Sequence, residues 1–228
     1  MSEYVTLTTD GGIAMTAYVA RPAGEAIGAL VLVQEIFGIN AHIRGVCDGY
    51  AKDGFLVVAP AIFDRLEKKP APGVELNYFD DKPKANELYG KLEPAKTLLD
   101  VKAAYEYAAK SGKKVGVIGY CYGGLMAWVS ACRLPGLKAA VGYYAGGIGK
   151  FAAETPHCPV MLHFGEKDDH IGPDQRDPVK RNHPEVEIYM YAGAGHAFNR
   201  EPDPAAFVAE AAKVARERSV AFLKKSLA

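Results

Sequence analysis

The sequence predicts an α/β fold: a mostly parallel central sheet with helices on both faces. Two observations carry that reading. Short, nearly continuous apolar runs such as residues 29–34 and 55–60 have the composition of strands buried on both faces. Segments of helical spacing separate those runs, which is the alternation that builds parallel sheets. The 228-residue chain is long enough to bury a full core, and residues 1–228 read as a single domain.

The elements follow in order. Residues 15–20 and 29–34 are strands, and 40–52 mixes polar and apolar side chains at helical spacing before stopping at Gly54. Residues 55–60 (FLVVAP) form another buried-type strand, and 61–73, rich in proline and charge, a loop. A helix over 94–111 is closed by Gly112. A strand at 114–118 leads to a helix at 124–133, and strands follow at 139–144, 160–164 and 186–191. Asp203 and Pro204 read as the N-cap and first residue of a last helix that runs to about Leu223.

Charge and composition remove several function classes. Acidic and basic residues number 27 each, so there is no electrostatic case for nucleic acid or an anionic membrane surface. No apolar run approaches the roughly 20 residues of a bilayer span, and the N-terminus lacks a basic-then-apolar signal. The 4 cysteines, none in a C-x-x-C pair, do not make a disulfide scaffold. The chain reads as cytoplasmic, a monomer or small homo-oligomer.

Parallel sheets present their functional groups on the loops that follow strand C-termini, so each candidate must follow a strand. Cys121 does. The segment Gly119-Tyr120-Cys121-Tyr122-Gly123 fits G-x-nucleophile-x-G between a strand and a helix. The nucleophile of such a turn is strained, and side chains at the flanking positions would strike the neighbouring strand and helix. A helix N-terminus beside a thiol favours its anion. Asp168 follows the strand at 160–164, with Asp169 a neighbouring alternative, and is placed to accept an imidazole N–H. His196 follows the strand at 186–191 on a glycine-flanked loop. Nucleophile, acid and histidine in that order are the α/β-hydrolase arrangement. Glu35 ends the strand at 29–34, where an unpaired carboxylate would be costly to bury; Arg200 is its natural partner. The loop after this early strand also supplies an oxyanion donor, so the two donors are expected to be the N–H groups of Tyr122 and Ile36. Among the aromatic residues, Phe37, Tyr143 and Phe198 are expected to line a pocket for a flat, unsaturated ring. His163, Asp168 and His170 match no standard metal-ligand spacing.

The segments VLVQEIFGINAHIR, FLVVAPAIFDR, KVGVIGYCYGG, AVGYYAG, LHFGEKD and GAGHAFNR together resemble the dienelactone hydrolases (carboxymethylenebutenolidases) over nearly the whole chain. The resemblance implies an α/β-hydrolase fold, a Cys121-Asp168-His196 triad with Glu35 as an additional acid beside the thiol, and no metal or organic cofactor. It also implies a small-molecule lactone or ester substrate whose carboxylate is held by two arginines. Arg200 matches one. Where the family has the other, this chain offers Lys82 or Lys84, a point charge in place of a planar fork. The alternative reading is a non-catalytic ligand-binding relative of the same fold.

Overall fold

The structure, a computed structural model, describes residues 1–228. Its sheet contains β1 (Ser2–Thr8), β2 (Ala14–Ala20), β3 (Gly28–Val33), β4 (Phe55–Pro60), β5 (Val115–Tyr120), β6 (Ala139–Tyr143), β7 (Val160–Gly165) and β8 (Glu187–Tyr191). The spatial order is β1-β2-β4-β3-β5-β6-β7-β8, antiparallel in the first two pairings and parallel from β4 to β8. The central strands β3, β4, β5, β6 and β7 are buried at every position, which is why their sequences run apolar without alternation.

The helices are α1 (Ala41–Lys52), α2 (Lys82–Tyr89), α3 (Pro94–Ala109), α4 (Tyr122–Arg133), α5 (Pro173–Asn182) and α6 (Ala209–Leu227). The crossover from β3 to β4 runs one way along the sheet, and those from β4 to β5 and β5 to β6 run the other. Right-handed crossovers in opposite senses place their helices on opposite faces, so α1 covers one face and α3 and α4 the other. The reversal opens a crevice between the ends of β3 and β5, the switch point where parallel sheets bind ligands. One continuous core of 65 buried residues fills both layers. A separate cluster of Phe37, Phe63, Val74, Leu76, Tyr78, Ala85 and Leu88 sits beneath the segment spanning residues 74–88.

Among the strands and α-helices, three have no counterpart in the sequence reading. β1 is an edge strand, exposed at most positions; α2 begins with Lys-Pro-Lys; and α5 carries an internal proline, Pro178. None has the apolar periodicity that identified the others. The last helix also starts later than expected, at Ala209. Asp203 does not cap it: one carboxylate oxygen accepts from the Ala205 N–H (3.2 Å) and the other from Arg200 Nη1 (3.3 Å), so its acceptors hold a turn together.

Candidate active site

The turn at Cys121 follows from its glycines. Cys121 has φ +55°, ψ −116°. A Cβ on Gly119 would overlap the Gly123 carbonyl, and one on Gly123 would overlap the Val33 carbonyl. The glycines therefore let α4 start directly against β5 and β3 while the thiol faces outward. Only three non-glycine residues have positive φ: Cys121, Tyr144 (+36°) and Ala197 (+59°). All three touch or adjoin the site, and each stores on the order of 1–3 kcal/mol of backbone strain that the surrounding packing must hold.

The structure brings Cys121, Asp168 and His196 together from three strand ends. His196 Nε2 lies 3.2 Å from Cys121 Sγ, and its Nδ1 lies 2.8 Å from Asp168 Oδ2. Asp168, whose side chain is fully buried, also accepts the His170 N–H on Oδ1 at 2.9 Å, so both its oxygens are engaged. Asp169 makes no such contact and is exposed. Burial alone would push the His196 imidazole down, but the hydrogen bonds and negative charge of Asp168 and Cys121 outweigh it and raise its pKa to about 10. Burial acts to raise the Asp168 carboxyl; His196 overrides that and lowers it. Carboxylate and imidazolium thus stabilise each other.

Glu35 is 1 % exposed and pairs with Arg200 in a two-pronged contact, Nε to Oε2 and Nη2 to Oε1, both 3.1 Å. The Tyr144 hydroxyl donates to the same Oε1 at 3.3 Å. The expected carboxylate beside the thiol is therefore turned toward Arg200 and makes no hydrogen bond to Sγ. Arg200 also lies over the rings of Tyr78 (4.4 Å) and Phe37 (5.2 Å), a desolvated guanidinium with acids at two of its edges.

A cavity of about 540 Å³ opens on the thiol, lined by Ile36, Phe37, Lys82, Asn86, Tyr89 and His170 around Cys121, His196 and Arg200. No acidic side chain lines it. Of the two lysines, Lys82 faces it without an acidic partner, whereas Lys84 is taken by Glu67 (3.0 Å) and Glu87 (3.3 Å). The Ile36 N–H donates to no protein acceptor, and the Tyr122 N–H, first in α4, has no intrahelical partner.

Two expected pocket residues are elsewhere. Tyr143, on β6, is fully buried and reaches Ser219 on α6 (2.7 Å). Phe198 is fully buried against Tyr143, Tyr144 and Tyr191. An aromatic side chain in such a segment serves the core as readily as a ligand, and here the core takes both. The sequence reading missed Asn86 and the pocket-lining role of His170. Asn86 stands one turn after Lys82, which a predicted α2 would have revealed; His170 follows Asp168 by two residues on the same loop. No group of three or more His, Cys, Asp and Glu side chains is arranged to hold a metal, and no helix is long and apolar enough to cross a membrane. A larger groove of about 610 Å³, walled by α1 and α6, contains none of the three grouped residues.

Comparison with known proteins agrees with this architecture. The model of the dienelactone hydrolase family matches residues 15–227. A carboxymethylenebutenolidase of Pseudomonas putida is 30% identical over 233 residues, covering 98% of this chain and 96% of that protein. A crystal structure from Klebsiella pneumoniae assigned to the dienelactone hydrolases aligns with a TM-score of 0.84 at 30% identity, covering 97% of each chain. A dienelactone hydrolase-like promiscuous phosphotriesterase from metagenomic libraries shares the fold at 17% identity, with a TM-score of 0.83 over 100% of this chain and 99% of that one. Similarity that extends from residue 15 to residue 227 takes in every strand of the sheet but the first, and the chain therefore belongs to the dienelactone hydrolase family, carboxylic ester hydrolases with the α/β-hydrolase fold.

Proposed function

We propose that this hydrolase cleaves an enol lactone or similarly activated ester bearing a carboxylate, through a thioester on Cys121. The observation that carries the reading is the single imidazole of His196 bridging Cys121 Sγ and Asp168. The thiolate adds to the ester carbonyl carbon, and the oxygen that gains charge is met by the Tyr122 and Ile36 N–H groups. Collapse breaks the bond to the enol or alkoxide oxygen, which takes the His196 Nε2 proton as it leaves. Water then gives a proton to His196 and adds to the thioester; the sulfur departs and the acid is released. Asp168 keeps the ring oriented and its charge balanced throughout.

Sulfur sets the substrate range. A thiolate is itself a good leaving group, so the first intermediate reverts unless the substrate's own leaving group is comparably stable. Enol and aryl esters meet that condition; alkyl esters and amides do not. A cavity lined by Lys82 and Arg200 with no acid supports the anionic substrate. A substrate carboxylate would compete with Glu35 for Arg200, and the released Glu35 would then help deprotonate Cys121.

Incubation with p-nitrophenyl acetate followed by intact-mass and peptide analysis tests the reading. The expected result is a burst of p-nitrophenol with an acetyl group on Cys121, little turnover of ethyl acetate, and loss of the burst in Cys121→Ala. Binding without a burst would favour the non-catalytic relative, and equal rates on both esters would remove the leaving-group argument.

A further inference from the structure

A second histidine, His163, is fully buried on β7 and contacts neither the thiol nor the cavity. Its Nδ1 lies 2.8 Å from Tyr191 Oη and its Nε2 lies 2.9 Å from Ser219 Oγ. Ser219 Oγ also meets Tyr143 Oη at 2.7 Å and donates to Ala215 O at 2.9 Å. Arg218 Nη1 donates to Tyr191 Oη at 3.2 Å.

Counting protons leaves one consistent arrangement. The one Ser219 hydroxyl proton goes to Ala215 O, so Ser219 Oγ accepts from both of its other partners, Tyr143 O–H and His163 Nε2–H. Tyr191 Oη accepts from Arg218, so its own proton goes to His163 Nδ1. The opposite tautomer would leave the Tyr191 proton buried without an acceptor. A second proton on His163 would do the same and would add charge near Arg218. The ring is therefore neutral, and burial and Arg218 together lower its pKa to about 3.

The network also reaches the catalytic loop. Its two tyrosines, Tyr143 and Tyr191, pack against Phe198, with ring centroids 6.2 and 5.1 Å away. Phe198 lies two residues beyond His196 and also touches Tyr144, whose ring meets His196 edge-on at 5.1 Å. α6, β6, β7 and β8 are thus joined at one point, directly behind the strand ends that carry Asp168 and His196.

We propose that His163, held as the neutral Nε2–H tautomer by Tyr191 and Ser219, is a positioning residue that fixes the His196 loop against Cys121. The proposal rests on the triad reading above. The groups facing the ring are Tyr143 from β6, Tyr189 (stacked at 5.8 Å) and Tyr191 from β8, and Arg218 and Ser219 from α6. Protonating His163, or removing Ser219, loosens the Phe198 anchor and with it the distance from His196 to the thiol.

Nitrogen-15 NMR of the intact protein at pH 7 is the first test. His163 should show a protonated Nε2 and a bare Nδ1, unchanged as pH falls to 5; an Nδ1–H tautomer or a cationic ring overturns the assignment. Ser219→Ala and His163→Gln are then assayed with p-nitrophenyl acetate well below their melting temperatures, alongside Cys121 alkylation by iodoacetamide as a function of pH. The expected result is a fall in kcat of roughly 10- to 100-fold, the cost of a misplaced base, with KM little changed and a shifted alkylation profile. Lower melting temperature with unchanged kcat and alkylation overturns the positioning role. Should His163→Gln fail to fold, Ser219→Ala and Tyr191→Phe carry the same test. Full activity in Cys121→Ala would instead overturn the triad reading.

Discussion

Two histidines, His163 fully buried and His196 half-buried, stand one element apart in the sheet and behave in opposite ways. His196 is bound by a carboxylate and a thiol; His163 is bound by hydroxyl groups. Both are desolvated, and desolvation disfavours the charged ring in each. At His196 the hydrogen bonds and negative charge of Asp168 and Cys121 reverse that and raise the pKa to about 10, whereas at His163 Arg218 adds to it and the pKa drops to about 3. Burial by itself therefore says little about a histidine's role. The charge of its partner decides whether the ring is held cationic or neutral.

The largest effect should come from removing that charge. Asp168→Asn keeps the shape of the site but takes away one of the two partners that hold His196 cationic, so kcat/KM should fall by roughly 10³- to 10⁴-fold. The His196 ring protons, followed by NMR, should titrate well below the wild-type value; an unchanged titration would mean that Asp168 is not the cause. Next comes the buried pair on the other side of the site. Glu35→Ala leaves the Arg200 guanidinium, 9% exposed, without its main partner, and should cost roughly 3–5 kcal/mol in urea unfolding.

The pH dependence of stability sharpens the contrast, because the two histidines act with opposite sign. His196, with its folded pKa raised above the unfolded value of about 6.5, contributes stability that is present below about pH 6.5 and lost as pH rises toward 10. His163, with its folded pKa depressed, costs nothing above about pH 6.5 and removes stability as pH falls toward 3. Stability should peak between these limits. His163→Gln should flatten the acid limb by a few kcal/mol, on the order expected from the linkage, and leave the alkaline limb in place. The smallest effect belongs to the exposed rim. Lys82→Ala should raise KM for 4-acetoxybenzoate by roughly threefold to tenfold, as a solvated point charge allows, and leave phenyl acetate unaffected.

The grouping of Cys121, His196 and Asp168 was legible in the sequence because the constraints on it are local. Gly119 and Gly123 mark a turn that other residues would block, and Cys121, Asp168 and His196 each follow a recognisable apolar strand. The substrate wall was less legible. Tyr143 and Phe198 are aromatic residues near the site in sequence, but the face of β6 and the path of the loop after β8 send both into the core. Lys82 and Asn86 belong to α2, a short helix of low apolar content that gives no periodic signal. His163 gave no signal beyond a metal-ligand spacing that matches no standard pattern, because its partners Ser219 and Tyr191 are 56 and 28 positions away.

Under the proposed mechanism, the small cluster beneath residues 74–88 ties substrate recognition to bond cleavage. Leu76 N–H donates to Phe37 O at 3.0 Å, Gly38 bridges to Glu75, and Ala85 and Leu88 of α2 pack with Phe37 in the same cluster. The helix that presents Lys82 is thereby tethered to the short loop that presents the Ile36 amide. Diversification of this segment is mechanically constrained: an insertion that moves α2 to accommodate a bulkier ligand also drags the Ile36 amide, the proposed oxyanion donor. New selectivity is more cheaply acquired by exchanging side chains on α2 than by rebuilding its path.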